Sequence, residues 1–302
     1  MKNLDRERGA ILITGPTASG KSALAVRLAA AHGGVVVNAD SMQVYDTLNV
    51  LTARPQPKEM GGIEHRLYGH VPAGRAWSTG DWLREAAGVV EDSRRAGRLP
   101  VFVGGTGLYF RALTGGLSDM PAIPPAVREA LRARLAAEGA EALHRALLAR
   151  DPVTAERLRP SDGQRIVRAL EVLEASGRSL SSFQSRVGTA AIDPAFAEKI
   201  VVLPERAVLA ERIDRRFAAM LRTGAVEEVR ALLALGLPPE MPAMKAIGVP
   251  QIAALLRGEM TEADVIARGS AATRQYAKRQ MTWFRNQLDE SWKRIDPAAF
   301  PA

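Results

Sequence analysis

A chain of 302 residues, 47% hydrophobic and without a cysteine, suits one large α/β unit or two lobes and holds no disulfide, zinc–thiolate site or thiol nucleophile. Its 41 Lys and Arg against 33 Asp and Glu leave a net charge of +8, which favours anionic partners without identifying one. No apolar run approaches the roughly 18 residues of a membrane span, and the polar start MKNLDRERGA has no signal-segment pattern, so a cytoplasmic protein with no membrane partner is expected.

Along the chain, Ile11 to Thr14 read as a short apolar strand. Gly15, Pro16, Thr17, Ala18, Ser19, Gly20, Lys21 and Ser22 then match the phosphate-loop pattern G-x-x-x-x-G-K-[ST], and an alanine- and leucine-rich helix follows. Glycines let the backbone curl so that N–H groups point inward, and the helix start adds partial positive charge. Lys21 can reach a terminal phosphate and the Ser22 hydroxyl can sit on a magnesium ion. The pattern is that of nucleotide- and ATP-binding proteins, and the chain is expected to bind a di- or triphosphate. A strand at Val35–Val37 leads into NADSMQVY; Ser78 and Asp81 form a capping box for the next helix; and Val101–Val103 make another all-apolar strand, which ends in glycines and enters a helix. Continuous apolar strands alternating with amphipathic helices predict an α/β fold, a phosphate-loop type of parallel sheet with helices on both faces. In such sheets ligands bind beyond the carboxyl ends of the strands, so Thr14, Asp40 and Gly104–Thr106 are expected to meet at one crevice.

From about Ser118 the texture becomes helical. Helices are expected after Pro124-Pro125, over Ala140–Arg150 and over Gly163–Ala175, the last stopped by Gly177. Strand character returns at KIVVLP, residues 199–204, and a long helix capped by Thr261 closes the chain. The expected organisation is an α/β core of 1–117 and 198–302 carrying an all-helical insert, 118–197.

Asp40, at the end of an apolar strand and across from the phosphate loop, suits either a magnesium partner or a general base aimed at an incoming nucleophile. The strand VFVGGTG ends in glycines and Thr106 where a hydrolysing motor would carry an acidic residue, which favours a transferase that passes a group between two bound substrates. Arg165 and Arg168 lie three apart beside the buried stripe Ile166, Leu170 and Leu173, and Arg274, Lys278 and Arg285 fall on one side of the last helix. Two basic helical regions on an α/β enzyme favour an RNA backbone as partner. The four histidines have no metal-ligand spacing.

The ordered motifs GPTASGKS, NADSMQVY, LTARP, VFVGGTGLYFRAL, SDGQRIVRALEV, RIDRRFAAML and TRQYAKRQMTWFR resemble those of the tRNA dimethylallyltransferases, also called tRNA isopentenyl-pyrophosphate transferases, over residues 11–286. The resemblance implies transfer of a dimethylallyl group from dimethylallyl diphosphate to the exocyclic N6 amine of the adenosine 3′-adjacent to the tRNA anticodon, with release of diphosphate. It implies that Gly15 to Ser22 hold the diphosphate, with Ser22 on Mg2+; that Asp40 is the general base; that Thr106 lies at the flipped adenosine; and that Arg216 lies near the diphosphate. Ser41, Met42 and Gln43 with Asp40, then Arg128, and Gln164, Arg165, Ile166, Val167 and Arg168 match tRNA-contacting stretches. A bacterial type acting as a monomer is implied. The chain departs from the family pattern in AIGVPQ, where Val249 and Pro250 replace the usual tyrosine step. A small-molecule kinase, in which Asp40 would deprotonate a hydroxyl, and prenyl transfer to free adenylate are the competing readings of the same loop.

Overall fold

The computed structural model describes residues 9–184 and 188–299. The chain divides into two compact units, one of Met1–Thr114 with Ala190–Ala302 and one of Gly115–Thr189. Elements of the first unit begin with β1 (Ala10–Thr14), α1 (Lys21–His32), β2 (Val35–Asn38), β3 (His65–Arg66), α2 (Thr79–Arg95), β4 (Pro100–Gly104) and α3 (Gly107–Gly115). The helical unit follows with α4 (Pro125–Glu138), α5 (Ala140–Arg150), α6 (Pro152–Ala155), α7 (Gly163–Ser176) and α8 (Leu180–Gln184). The chain returns through β5 (Ala197–Val202), α9 (Arg206–Arg222), α10 (Ala225–Ala234), α11 (Val249–Leu256), α12 (Glu262–Gln287) and β6 (Lys293–Ile295).

The six strands form one sheet in the order β3-β2-β4-β1-β5-β6, with every neighbouring pair parallel. β1, β2 and β4 are buried along their whole length, which is why they read as uninterrupted apolar runs. Alternation then sorts their side chains. Leu12, Val35, Val37, Phe102 and Val201 join the core on one face, with Trp82, Phe217 and Phe284. Ile11, Ile13, Val36, Val101 and Val103 face the other way and pack against Ala25 and Ala29 of α1. Register aligns the exits: Thr14 stands opposite Gly104, and Asn38 opposite Val103. The phosphate loop, Asp40 and Thr106 therefore leave the sheet side by side, as the alternation of strand and helix predicts.

The helix punctuation agrees with the sequence. Ser78 and Thr261 each accept the N–H three residues on, from Asp81 and Asp264, in reciprocal capping boxes. β3 and β6 were not expected; at two and three residues they are too short to show any period. Residues 190–197, read from sequence as part of the insert, belong with the sheet: the Ala191 and Ile192 N–H groups donate to the Leu113 carbonyl, and Ile192 is fully buried. In the helical unit, Leu131, Leu143, Leu147, Ile166 and Leu170 make a separate core. None of the helices among the described residues is long and apolar enough to cross a membrane.

Candidate active site

The loop from Gly15 to Gly20 links the buried β1 to the first turn of α1, so the N–H groups at the start of that helix have no partner within it. Gly15, Pro16 and Ser19 are buried, Thr17 and Ala18 line an adjoining cavity, and Gly20 and Ser22 are exposed. Lys21 folds back over the loop, its Nζ donating to the Pro16 carbonyl at 3.2 Å. Burial pushes its pKa from 10.5 down to about 8; Asp40 holds it up and Arg216 presses it further down. Arg216 itself is lowered, by burial first, against the opposing pull of Asp40 and Glu59. Two cations thus share a poorly solvated site with one carboxylate, an arrangement that a bound polyanion completes.

Asp40 sits in a turn of its own. Its Oδ1 accepts the Met42 N–H at 2.9 Å, an Asx turn, while Asn38 accepts the Asp40 N–H at 2.9 Å and donates to the Asp40 and Leu67 carbonyls. The Thr106 hydroxyl accepts the Ser41 N–H at 3.0 Å and donates to Ser41 Oγ, so Thr106 holds the turn that carries Asp40. Gln43 spends its amide inside the same region, donating to the Thr52 and Ala53 carbonyls at 2.8 and 3.1 Å. Glu228 of α10 pins the following loop by accepting the N–H groups of Asn49, Val50 and Leu51. Burial and then the Asp40 charge raise the pKa of Tyr68, Tyr109 and Tyr276. Asp40 is the charge that the whole site feels.

The glycines after β4 are there for space. A Cβ on Gly104 would lie 2.0 Å from the Ala39 carbonyl oxygen, and one on Gly105 would lie 2.2 Å from Gln280 Nε2 and 3.5 Å from Asp40 Oδ2. Gln280, buried on α12, accepts the Thr17 N–H at 3.0 Å and donates to the Gly105 carbonyl at 2.9 Å. Sequence reasoning missed it, although Thr273, Tyr276, Gln280 and Phe284 recur at helical spacing within the motif TRQYAKRQMTWFR.

Thr17 and Ala18 of the loop and Asp40, Ser41 and Met42 of the turn border a cavity of about 320 Å³. Asp40, Arg216, Lys245, Tyr276 and Arg279 supply its polar lining, and Leu51, Ile213, Phe217, Met220 and Ile247 its apolar lining. A polar head bearing negative charge and a short hydrocarbon tail can both be accommodated. Lys245 and Arg279 were likewise not foreseen. Val249, at the departure from the expected tyrosine step, is buried in the core and opens α11 with Pro250 second in the helix, so that helix starts normally. Arg274, Lys278 and Arg285 do share a side of α12: with Arg206 they border a second cavity floored by Leu209, Ala277 and Met281, and Arg274 is ion-paired with Asp214.

In the helical unit, Gln164 and Arg165 are exposed at the start of α7, and Arg165 lies 3.4 Å from Asp162. Arg168 and Arg128 both reach Glu171, at 3.2 and 3.7 Å. Ile166 and Val167 of that stretch have their side chains buried in the unit's core, for Ile166 as the apolar stripe predicts, which leaves their backbone as the part that could meet an RNA. They are there because α7 needs an apolar stripe.

The donors present fit magnesium better than a transition metal. Among the described residues no three His, Cys, Asp or Glu side chains cluster as a metal cage. A hydroxyl such as that of Ser22, exposed at the start of α1, together with the oxygens of a bound diphosphate is the hard-oxygen set that magnesium takes while keeping several waters.

The family model for IPP transferase matches residues 43–287, and one for isopentenyl transferase matches residues 8–71. The chain is 73% identical over 300 residues to a tRNA dimethylallyltransferase of Rhizobium meliloti (strain 1021), covering 99% of each chain. It is 67% identical over 297 residues to one of Agrobacterium fabrum, covering 98% of this chain and 100% of that one. Among solved structures it resembles the full-length tRNA isopentenylpyrophosphate transferase of Bacillus halodurans, with a TM-score of 0.67, 32% identity and coverage of 95% and 89%. It also resembles a eukaryotic dimethylallyltransferase captured acting on tRNA, with a TM-score of 0.81, 26% identity and coverage of 95% and 73%.

Proposed function

Because the chain belongs to the IPP transferase family, in which it acts as an enzyme that transfers a dimethylallyl group to tRNA, we propose that dimethylallyl diphosphate is its donor and that the cavity beside the phosphate loop is where transfer occurs. The observation that carries this reading is the composition of that cavity: Asp40 and Arg216 in its polar lining, both within the electrostatic reach of Lys21 on the phosphate loop, and an apolar lining of Leu51, Ile213, Phe217 and Met220.

The diphosphate lies on the phosphate loop, from Gly15 to Ser22, with the start of α1 and the cations of Lys21 and Arg216 balancing charge as the leaving group departs. The Ser22 hydroxyl would hold a magnesium ion bound with the diphosphate, which would supply further electrostatic stabilisation of that leaving group. The prenyl tail occupies the apolar lining. Asp40 accepts a proton from the exocyclic N6 amine of the adenosine as that nitrogen attacks the prenyl carbon and the carbon–oxygen bond to diphosphate breaks. Thr106 serves by holding the Asp40–Met42 turn through its bond to Ser41. The target adenosine leaves its stack to enter the cavity, at a cost of a few kcal/mol that a single-stranded anticodon loop keeps small. Arg128, Gln164, Arg165 and Arg168 of the helical unit bind RNA backbone.

Incubation of the purified chain with dimethylallyl diphosphate, magnesium and unmodified tRNA, followed by digestion and mass analysis of nucleosides, tests the proposal. Adenosine gains one dimethylallyl group, and AMP offered in place of tRNA gains none. Prenylated AMP would move the acceptor assignment to free adenylate, and no added mass with consumption of ATP would return the loop to a kinase.

A further inference from the structure

We infer that Gln280 is a positioning residue that fixes the distance between the phosphate loop and the exit of β4 beside Asp40; the inference deepens the reading of that loop as the donor site and rests on it. One buried side-chain amide spans two segments that never meet in sequence: its Oε1 takes the Thr17 N–H at 3.0 Å and its Nε2 gives to the Gly105 carbonyl at 2.9 Å. The orientation of the amide follows from its partners, because a backbone N–H only donates and a carbonyl only accepts. The Gly105 end of this bridge lies against the base: the position a Gly105 Cβ would take is 3.5 Å from Asp40 Oδ2 and 2.2 Å from Gln280 Nε2. The Thr17 end lies in the loop that holds the leaving group, and Thr17 lines the cavity.

The two sides of the reaction are thus joined by one rigid strut. In-line displacement needs the amine, the prenyl carbon and the departing oxygen aligned, and an error near 1 Å in such an alignment can cost about a hundredfold in rate. Without the amide, the buried Gly105 carbonyl and the part-buried Thr17 N–H lose their partner, and loop and β4 exit relax independently. A residue that spans two substrate sites in this way acts on turnover more than on the binding of either substrate.

Four variants test the inference: Gln280→Leu removes both bridging hydrogen bonds, and the amide's bond to Tyr276, at similar volume, Gln280→Glu keeps the acceptor and loses the donor, Gly105→Ala displaces the amide sterically, and the double variant Gly105→Ala/Gln280→Leu measures coupling. Single-turnover rates at saturating tRNA and donor, KM for the donor, tRNA affinity and Tm are read for each. The expected result for Gln280→Leu is a fall of about 10- to 100-fold in rate with KM and tRNA affinity within about threefold. The double variant should be no worse than the poorer single one, since both break the same bridge. The rate of Gln280→Glu relative to the unsubstituted chain should rise as pH falls from about 8.5 to about 6, because a protonated carboxyl donates to Gly105 again. Asp40, Lys21, Tyr276 and Arg279 are the charged and titratable groups at the same site. Additive losses in the double variant, a pH-independent Glu ratio, or an effect confined to Tm and KM would each overturn the positioning role. Lys21→Ala separates the two claims: full prenyl transfer by that variant would sink the donor-site reading, whereas its failure alongside unaffected Gln280 variants would sink this inference alone.

Discussion

The two units treat charge in opposite ways. In the sheet unit, burial lowers Lys21 and Arg216 from their ordinary pKa values, and both lie in the field of Asp40. In the helical unit the cations stay in water: Arg165 is 75% exposed on its side chain, and Arg168 and Arg128 remain 39% and 43% exposed around Glu171. The difference matches two tasks. Stabilising charge that appears during a bond-breaking step needs dipoles and ions fixed in a dry site, where little reorganisation remains to be done. Gripping a phosphate backbone needs solvated cations that release counterions, and it tolerates mobility.

The contrast can be broken most severely at Asp40. Asp40→Ala should cut prenyl transfer by roughly 10²- to 10⁴-fold while tRNA binding persists, as rapid-quench turnover and filter binding will report; unchanged turnover removes Asp40 as base. Ile166→Ala should cost about 2–5 kcal/mol in the helical unit, because Ile166 is fully buried in that unit's core, and an early unfolding transition by calorimetry is its signature. Binding of tRNA should then weaken through loss of structure rather than of charge.

Lys21 sharpens the comparison from the stability side. Its folded pKa of about 8 lies below the ordinary 10.5, so between those values the unfolded chain binds more protons and stability rises with pH. Below pH 8 both states carry the proton and the burial cost is felt in full. Lys21→Met should therefore raise Tm at neutral pH, by about 2–4 °C per kcal/mol regained, and the gain should shrink towards pH 10. The same substitution should weaken donor binding, and in the unsubstituted chain kcat/KM for the donor should fall as pH rises above about 8, where Lys21 loses its charge. A pH-independent Tm difference would contradict the buried-cation account. The smallest effect is expected at the surface: Arg165→Ala should flatten the salt dependence of tRNA binding by about one unit of log–log slope and leave Tm unchanged.

Much of this arrangement is legible in the amino-acid sequence, for reasons that differ by residue. The phosphate loop and the strands around it read clearly because buried parallel strands are continuous apolar runs and the loop has a fixed spacing. Asp40 and Thr106 follow from topology, since ligands gather at the carboxyl ends of strands. Gln280 is invisible there because its partners lie far away along the chain, 263 and 175 positions distant, and Lys245 and Arg279 because only the folded chain brings them to the cavity. The tRNA-contacting motif marks a stretch and not the face each side chain takes on α7, where Ile166 and Val167 point into the core. β3 and β6 escape because two or three residues carry no period.

The division of labour itself is tested most directly by measuring the single-turnover rate at saturating tRNA, and tRNA affinity, for Asp40→Ala and for Arg165→Ala/Arg168→Ala in parallel. The account predicts a slow step with intact affinity for the first and weakened affinity with a near-normal saturated rate for the second. A saturated rate that collapses in the arginine variant, or affinity that collapses in the Asp40 variant, would contradict the separation of chemistry from RNA capture.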